Sequence, residues 1–208
     1  MQLIGQFDSP FVRRVGIALT LYAMDFDHLP YSTFGEWERF RQHNPLRRVP
    51  TLVLDSGEAL IDSAAIIDHL DEIHGRDRAL IAPSGPDRRA ALKRIALASG
   101  TADKAVSFFY ARLFSTSLDP QFVERTEAQI REGLAALDAE CAARSGGWWH
   151  GAGPGHDDIA VACITRFLSE AYAQLIRLAD YPALASHSAR AEALPAFRAI
   201  SQPFIPPS

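Results

Sequence analysis

Residues 49–63 have the residue types of a small binding site built largely from backbone. The stretch reads Val-Pro-Thr-Leu-Val-Leu-Asp-Ser-Gly-Glu-Ala-Leu-Ile-Asp-Ser. Apolar residues on both sides of Asp-Ser-Gly predict a two-stranded hairpin. Asp62 is a preferred helix N-cap residue, and apolar residues follow it at helical spacing. Because the first amides of a helix have no partner within it, the position of Asp62 and Ser63 suits an anion such as a carboxylate.

Pro50 stands directly before the first strand of this hairpin. Proline lacks the N–H that a sheet ladder needs, so it marks a turn or a sheet edge here. A cis bond between Val49 and Pro50 would cost only about 0.5 to 1 kcal/mol. If the bond is cis, the N–H and C=O of Val49 could pair with an extended, peptide-like ligand. The alternative is a rigid turn that leads into the strand.

Composition excludes several classes of protein. Hydrophobic residues make up 48% and charged residues 22% of the 208 residues, as in an average globular protein. The net charge of -4 gives no basic footprint for nucleic acid. No apolar run approaches the ~20 residues of a membrane span, and the chain begins without a signal-peptide pattern. We expect a cytoplasmic protein with neither nucleic-acid nor membrane partners.

The elements before residue 81 predict a thioredoxin-like β-α-β-α-β-β-α domain. Ser9 and Pro10 combine an N-cap residue type with proline at the first helical position. The first two strands should be parallel because a helix connects them. The predicted order is strand 3–7, a helix to residue 24, strand 26–29, a short helix at 35–44, the hairpin, and a helix that ends near residue 75.

A run of breaker residues, Ala-Pro-Ser-Gly-Pro at 82–86, separates this domain from the rest. We place a linker at 81–87 between a domain of residues 1–80 and an all-helical domain of residues 88–208. Long helices are predicted at 88–117, 120–143 and 156–178, with shorter ones starting at Pro182 and Pro195. The histidines show no ligand spacing, so no metal site is predicted.

Several short motifs occur in a fixed order along both halves of the chain. They are Ser-Pro-Phe-Val-Arg at 9–13, Asn-Pro at 44–45, Arg-Val-Pro at 48–50, Asp-Ser at 62–63, Asp-Asp-Ile-Ala at 157–160, Tyr-Pro-Ala-Leu at 181–184 and Leu-Pro-Ala-Phe at 194–197. Together they resemble the cytosolic glutathione S-transferase family, in particular bacterial members with the Ser-Pro-Phe-Val-Arg motif. The resemblance implies a homodimer with one site per subunit for glutathione, the co-substrate.

Two positions depart from the family's pattern. Family members commonly carry Gly then Lys before Val-Pro, where this chain has Arg47 and Arg48. If position 47 needs a positive φ, arginine is strained there, whereas Arg48 keeps the charge. In the second domain Gly155 replaces the usual Ser or Thr, so Asp158 can accept the N–H of residue 155 but receives no hydroxyl bond. We assign Asp158 a structural role, as a helix cap.

The resemblance implies that Ser9 holds the glutathione thiolate. A thiol of pKa near 8.5 is mostly protonated at neutral pH, and lowering that pKa by about two units requires roughly 2.7 kcal/mol. A hydroxyl hydrogen bond to the anion contributes about 1.5 to 3 kcal/mol, and the helix start about 0.3 to 1. The alternative is that Ser9 is only an N-cap. Dithiol redox chemistry is excluded, because Ser9 and Val12 fill the two Cys positions of Cys-x-x-Cys.

The other contacts with glutathione follow from charge. Ser63 and the helix-start amides would take the γ-glutamyl carboxylate, and Asp62 the ammonium. The Val49 backbone would pair with the cysteinyl unit, and Arg48 with the glycyl carboxylate. Asp62 could instead be only an N-cap, and Arg48 only a solvated charge.

The electrophile is expected between the domains, against Phe11 and an apolar wall of Val106 and Tyr110 on the long helix. The leading hypothesis is a glutathione transferase that directs the thiolate at small electrophiles, a detoxification activity. A glutathione-dependent isomerase or dehalogenase could use the same thiolate. The third hypothesis is a catalytically weak glutathione-binding or scaffold protein.

Overall fold

The computed structural model describes residues 1–206. They form two compact units, of which the second is Ser84–Ala191. The first unit combines Met1–Pro83 with the described residues from Glu192 onward. The C-terminal segment therefore clusters with the first unit, whereas the sequence analysis assigned it to the second domain.

A four-stranded mixed sheet forms the centre of the first unit. The strands lie in the order β2-β1-β3-β4, with bounds β1 Gln2–Ile4, β2 Asp27–Leu29, β3 Thr51–Val53 and β4 Ala59–Ile61. β1 is parallel to β2 and antiparallel to β3, and β3 is antiparallel to β4. The predicted parallel β-α-β unit, the hairpin and the thioredoxin-like fold are confirmed.

Two helices of this unit begin at the caps that the sequence indicated. α1 (Pro10–Leu21) starts after Ser9, and α2 (Ser63–His74) starts after Asp62. The short helix predicted over residues 35–44 is wrong, since only a single 3-10 turn forms, at Trp37–Arg39. Phe40 and Asn44 are the only fully buried side chains of that segment, so too little apolar burial stabilises a longer helix there.

The second unit is helical. Its helices are α3 (Gly85–Phe114), α4 (Pro120–Ala142), α5 (His156–Ala171) and α6 (Pro182–Glu192). α5 is buried along most of its length and is the core helix of the unit. It ends seven residues before the predicted end, with Tyr172 as its C-cap residue, whose hydroxyl donates to the Ala105 carbonyl at 2.6 Å.

A buried arginine explains why the C-terminal segment clusters with the first unit. The Arg13 side chain donates to both carboxylate oxygens of Glu192, at 2.6 and 2.7 Å. It also donates to two backbone carbonyls of the C-terminal segment, that of Phe197 at 3.0 Å and that of Ile200 at 2.8 Å. Phe197 lies within the short helix α7 (Pro195–Ala199), and Ile200 follows it. These acceptors compensate for the burial of a guanidinium that is only 2% exposed.

Candidate active site

A cleft of the first unit joins three segments of its chain. It measures about 400 Å³, its open mouth included. Its lining comes from the start of α1, from the loop before β3, and from the junction of β4 and α2. The lining residues are Phe11, Asn44, Leu46, Arg48, Val49, Pro50, Ile61, Asp62 and Ser63. All four residues that the sequence analysis assigned to glutathione binding are therefore in one place.

The loop before β3 presents backbone groups to this cleft. The peptide bond between Val49 and Pro50 is cis. Val49 is half-buried, and within residues 1–206 neither its N–H nor its C=O has a hydrogen-bond partner. A donor and an acceptor on one residue are what an extended peptide-like ligand needs for strand-like pairing.

Asn44 holds this loop in shape, a role that the sequence analysis did not assign. Its side-chain amide donates to the Arg48 carbonyl at 2.8 Å and to the Thr51 hydroxyl at 3.1 Å. Its side-chain oxygen accepts the N–H of Leu46 at 3.0 Å. Asn44 is 1% exposed, so these bonds are protected from water. The Asn-Pro dipeptide was the available signal, since such pairs initiate turns.

Ser9 caps α1 in a way that is compatible with a second role. Its Oγ accepts the N–H of Val12 at 3.4 Å. A hydroxyl that accepts one bond still has its proton to donate. Within the described chain Ser9 is not among the residues that line the cleft, but Phe11, two residues further along, is. The cap and the thiolate donor, which the sequence analysis treated as alternatives, do not exclude each other.

Asp62 and Ser63 form the opposite end of the cleft. The Asp62 carboxylate accepts the N–H of Ala64 at 2.8 Å and so caps α2, while the side chain itself is exposed. Asp62 has φ of 71° and ψ of 131°, a sparsely populated backbone conformation outside the left-handed helical region. Ser63 is 4% exposed and lies at the first helical position. A helix start lined by a hydroxyl and a carboxylate suits a ligand end that carries both signs of charge.

Position 47 does adopt the positive φ that the family's glycine suggested. Arg47 has φ of 54°. Its guanidinium lies over the Trp37 ring, which offsets part of the strain. Arg48 is exposed and lines the cleft next to Val49, where its charge can meet an anionic ligand group.

Comparison with known proteins decides the family. A model of the glutathione S-transferase N-terminal domain matches residues 3–78, and a model of the C-terminal domain matches residues 120–190. The chain belongs to the glutathione S-transferase family. The thioredoxin-like first unit and the helical second unit of this transferase-family chain agree with that membership.

Individual relatives of this glutathione S-transferase family member include enzymes of two kinds. A maleylacetoacetate isomerase from Pseudomonas aeruginosa is 37% identical over 48% of this chain and 49% of that protein. The chain spans about half the length of the curated relatives it matches. A solved glutathione S-transferase from Methylobacterium radiotolerans, in complex with glutathione sulfonate, is 27% identical over 100% of this chain and 98% of that one, with a TM-score of 0.88. A maleylpyruvate isomerase structure from Pseudomonas aeruginosa is 29% identical over 97% and 96%, with a TM-score of 0.74.

The family's cap in the second unit has the geometry expected for Asp158. One of its carboxylate oxygens accepts the N–H of Gly155 at 3.0 Å and that of Trp149 at 3.3 Å. The other accepts from Arg144 at 3.3 Å. Burial raises the pKa of Asp158 to about 6, against the lowering effect of these donors. Its contacts lie within the second unit and hold the start of α5.

Asp157, beside it, belongs to a buried ionic cluster that the sequence analysis missed. Arg94 donates from Nε and Nη2 to one Asp157 oxygen, each at 2.8 Å, and His150 lies 3.1 Å from the same atom. Asp157 is fully buried, and the Arg94 guanidinium also covers the Trp149 ring. The only signal in the sequence was the pair of adjacent aspartates at a helix start, and their adjacency does not show which side chain each of them binds.

The remaining predicted positions lie in the second unit. Val106 and Tyr110 are one turn apart on α3, and both are partly exposed. The Tyr110 ring stacks on Phe114, with centroids 6.0 Å apart.

Within residues 1–206, no helix is long and apolar enough to cross a bilayer. The same residues contain no group of three or more His, Cys, Asp or Glu side chains that could hold a metal ion.

Proposed function

We propose that this chain is a glutathione transferase that binds glutathione in the cleft of the first unit and uses its thiolate against small electrophilic compounds. One observation carries the proposal: Arg48, Val49, Asp62 and Ser63, which come from separate segments, line the same cleft. Family membership supports it, as does the glutathione sulfonate in the related structure.

Each end of the tripeptide has a chemical match along the cleft. The Asp62 carboxylate would pair with the γ-glutamyl ammonium, while the Ser63 hydroxyl and the first amides of α2 would take the adjacent carboxylate. The open N–H and C=O of Val49 would pair with the cysteinyl unit. Arg48 would take the glycyl carboxylate. In this assignment the start of α2 donates its free amides to the ligand carboxylate, while Asp62 both caps the helix and pairs with the ligand ammonium.

The cysteinyl thiol would then lie towards the start of α1. We propose that the Ser9 hydroxyl donates to the thiolate, since the Val12 bond occupies only a lone pair of Ser9. The helix start of α1 adds a smaller favourable field. The thiolate attacks an electrophilic carbon held near Phe11, a sulfur–carbon bond forms, and the leaving group departs with its electron pair. Thiolate stabilisation and proximity provide the rate enhancement.

Calorimetry with glutathione tests this proposal. Titrations from about pH 6 to pH 8 should show binding with proton release, because the bound thiol ionises below its usual pKa. The Ser9→Ala variant should bind with less proton release. A protein that does not bind glutathione at millimolar concentration would not be the proposed enzyme.

A second candidate is a glutathione-dependent isomerase, favoured by the 37% identity to a maleylacetoacetate isomerase. In that reaction the thiolate adds to a double bond, the intermediate rotates, and the thiolate leaves again. Mass spectrometry of the products separates the two activities. A transferase leaves glutathione joined to the electrophile, whereas an isomerase returns glutathione and a substrate of unchanged mass. Turnover near the uncatalysed rate, despite tight binding, would instead identify a glutathione-binding scaffold.

We also propose that the chain acts as a homodimer, as the family resemblance implies, and that it works in the cytoplasm, as the sequence pattern predicts. Light scattering over a range of protein concentrations tests the dimer. A monomer with full activity would contradict it.

A further inference from the structure

We infer that His28 of β2 is a positioning residue that fixes Ser9, at the start of α1, relative to Val49 of the cleft. The inference rests on the proposed function for its effect on turnover, while its structural basis is independent of that function. His28 itself does not line the cleft among the described residues.

The His28 ring contacts the loop between β1 and α1 at two points. Its Nε2 lies 2.8 Å from the Gly5 carbonyl oxygen. Because a carbonyl can only accept, Nε2 is the nitrogen that donates. The same ring stacks on Phe7, with centroids 3.8 Å apart and planes 12° from parallel. One side chain therefore fixes two positions of the loop that leads to Ser9.

Gly5 lies between the first turn of α1 and the loop before β3, and it contacts a residue of each. It has φ of 125°, and a Cβ placed on it would come within 2.6 Å of the Val12 side chain and 2.7 Å of the Val49 Cβ. Both valines therefore pack directly on the Gly5 backbone. Val12 in turn donates its N–H to the Ser9 Oγ. A shift of Gly5 would change the position of Ser9 relative to the open backbone groups of Val49.

The other bonds of the loop show what would remain without His28. The Gly5 N–H donates to the Leu29 carbonyl at 2.9 Å, which continues the sheet. The Phe7 N–H donates to the Gln202 side-chain oxygen at 3.2 Å. These bonds hold the loop in the fold, so loss of the His28 donor should loosen the loop without unfolding the unit. A misplacement of about 1 Å can cost up to roughly a hundredfold in rate, so even a small displacement should be visible in turnover.

The variant His28→Phe removes the donor to Gly5 and keeps a ring for the stack on Phe7. With glutathione and chlorodinitrobenzene as probes, kcat should fall roughly tenfold while KM for glutathione changes much less. The apparent pKa of the bound thiol should rise. The variant His28→Gln keeps an N–H donor and should recover part of the rate.

The variant His74→Phe is the matched control. The His74 ring stacks on Tyr22 with centroids 4.1 Å apart, within the same unit but beyond the C-terminal end of α1. The same substitution there should leave kcat and the thiol pKa unchanged. Equal effects of the two substitutions would mean that His28 only stabilises the unit, and would overturn the inference.

Amide hydrogen exchange without ligand gives a readout that does not depend on activity. In His28→Phe, peptides that cover residues 5–9 and 47–50 should exchange faster, and peptides of α3 to α5 should not change. If the wild-type protein binds no glutathione, the proposed function fails, yet this exchange pattern would still support His28 as the residue that holds the loop. Unchanged exchange in both peptides would overturn the inference, whatever the kinetics of the wild-type protein.

Discussion

The guanidinium carbon of Arg47 lies 3.6 Å from the centroid of the Trp37 ring. This contact accompanies a backbone conformation that arginine adopts only with strain, at φ of 54°. A left-handed residue other than glycine costs roughly 1 to 2 kcal/mol, and a cation–π contact at an exposed site returns about 0.5 to 1. The stack therefore explains how a cleft of this family tolerates arginine where glycine is common.

This balance predicts different outcomes for two substitutions of Arg47. Arg47→Ala loses the stack but keeps the strained φ, so it should lower the free energy of unfolding by about 0.5 to 1 kcal/mol. Arg47→Gly loses the stack and relieves the strain, so it should be roughly 1 to 2 kcal/mol more stable than Arg47→Ala. Urea unfolding of both variants measures the difference. Equal destabilisation by Gly and Ala would show that position 47 is not strained.

The sequence predicted those parts of the site that depend on local patterns. The Ser9 and Asp62 caps each rest on a few neighbouring residues, and the structure contains both of them. The hairpin follows from turn residues between apolar strands, so its register was also accessible from a short window.

The parts that the sequence did not predict depend on contacts between distant residues. Arg13 meets Glu192 across 179 positions, and no periodicity connects them. The same holds for His28 and Gly5, where a sheet brings the end of one strand beside another. Asn44 is a different case, because its partners lie within seven positions of it; it was visible as part of a motif, but its three bonds depend on how the loop folds back on itself.

Ser9 should affect turnover more than stability. Ser9→Ala removes the hydroxyl that would donate to the thiolate, so kcat should fall about tenfold or more, with a smaller change in glutathione affinity. It also removes an N-cap, which costs about 1 kcal/mol of stability. Initial rates and urea unfolding measure the two effects separately.

Asp119→Ala is the control for the loss of a cap. Asp119 caps α4 through bonds to the N–H groups of Gln121 and Phe122, at 2.8 and 3.2 Å. Its loss should lower stability by a similar amount and leave kcat unchanged. Full turnover in Ser9→Ala would mean that Ser9 is only a cap.

Asp62 should affect glutathione affinity through its charge alone. Asn is as good an N-cap as Asp and has nearly the same size and shape, so Asp62→Asn should keep the start of α2 intact. It removes the negative charge that would pair with the γ-glutamyl ammonium, and the dissociation constant should rise roughly tenfold, in line with the worth of a charged hydrogen bond. Calorimetry measures the change. An unchanged affinity would contradict the ammonium assignment.

Asp158 and His187 predict a characteristic dependence of stability on pH. Burial raises the folded-state pKa of Asp158 to about 6 from an ordinary value of 3.8. The stability that protonated Asp158 contributes is therefore lost as the pH rises through about 6. Burial lowers the folded-state pKa of His187 to about 4 from 6.5. The stability linked to neutral His187 is present above pH 6.5 and is lost as the pH falls towards 4, so the two groups oppose each other.

The variant Asp158→Asn should separate the two contributions to the pH dependence of stability. The wild-type free energy of unfolding should change little between about pH 4 and pH 6.5, because the two contributions have opposite slopes. Without the titrating carboxylate, only the His187 contribution remains, and stability should rise with pH across that interval. His187 has a physical reason to stay neutral: its Nδ1 accepts from Arg144 at 2.9 Å, and protonation would set two cations against each other. Urea unfolding at several pH values measures the slopes. The variant should be less stable overall, since the amide cannot replace every acceptor, but a slope equal to that of the wild type would show that Asp158 does not titrate in this range.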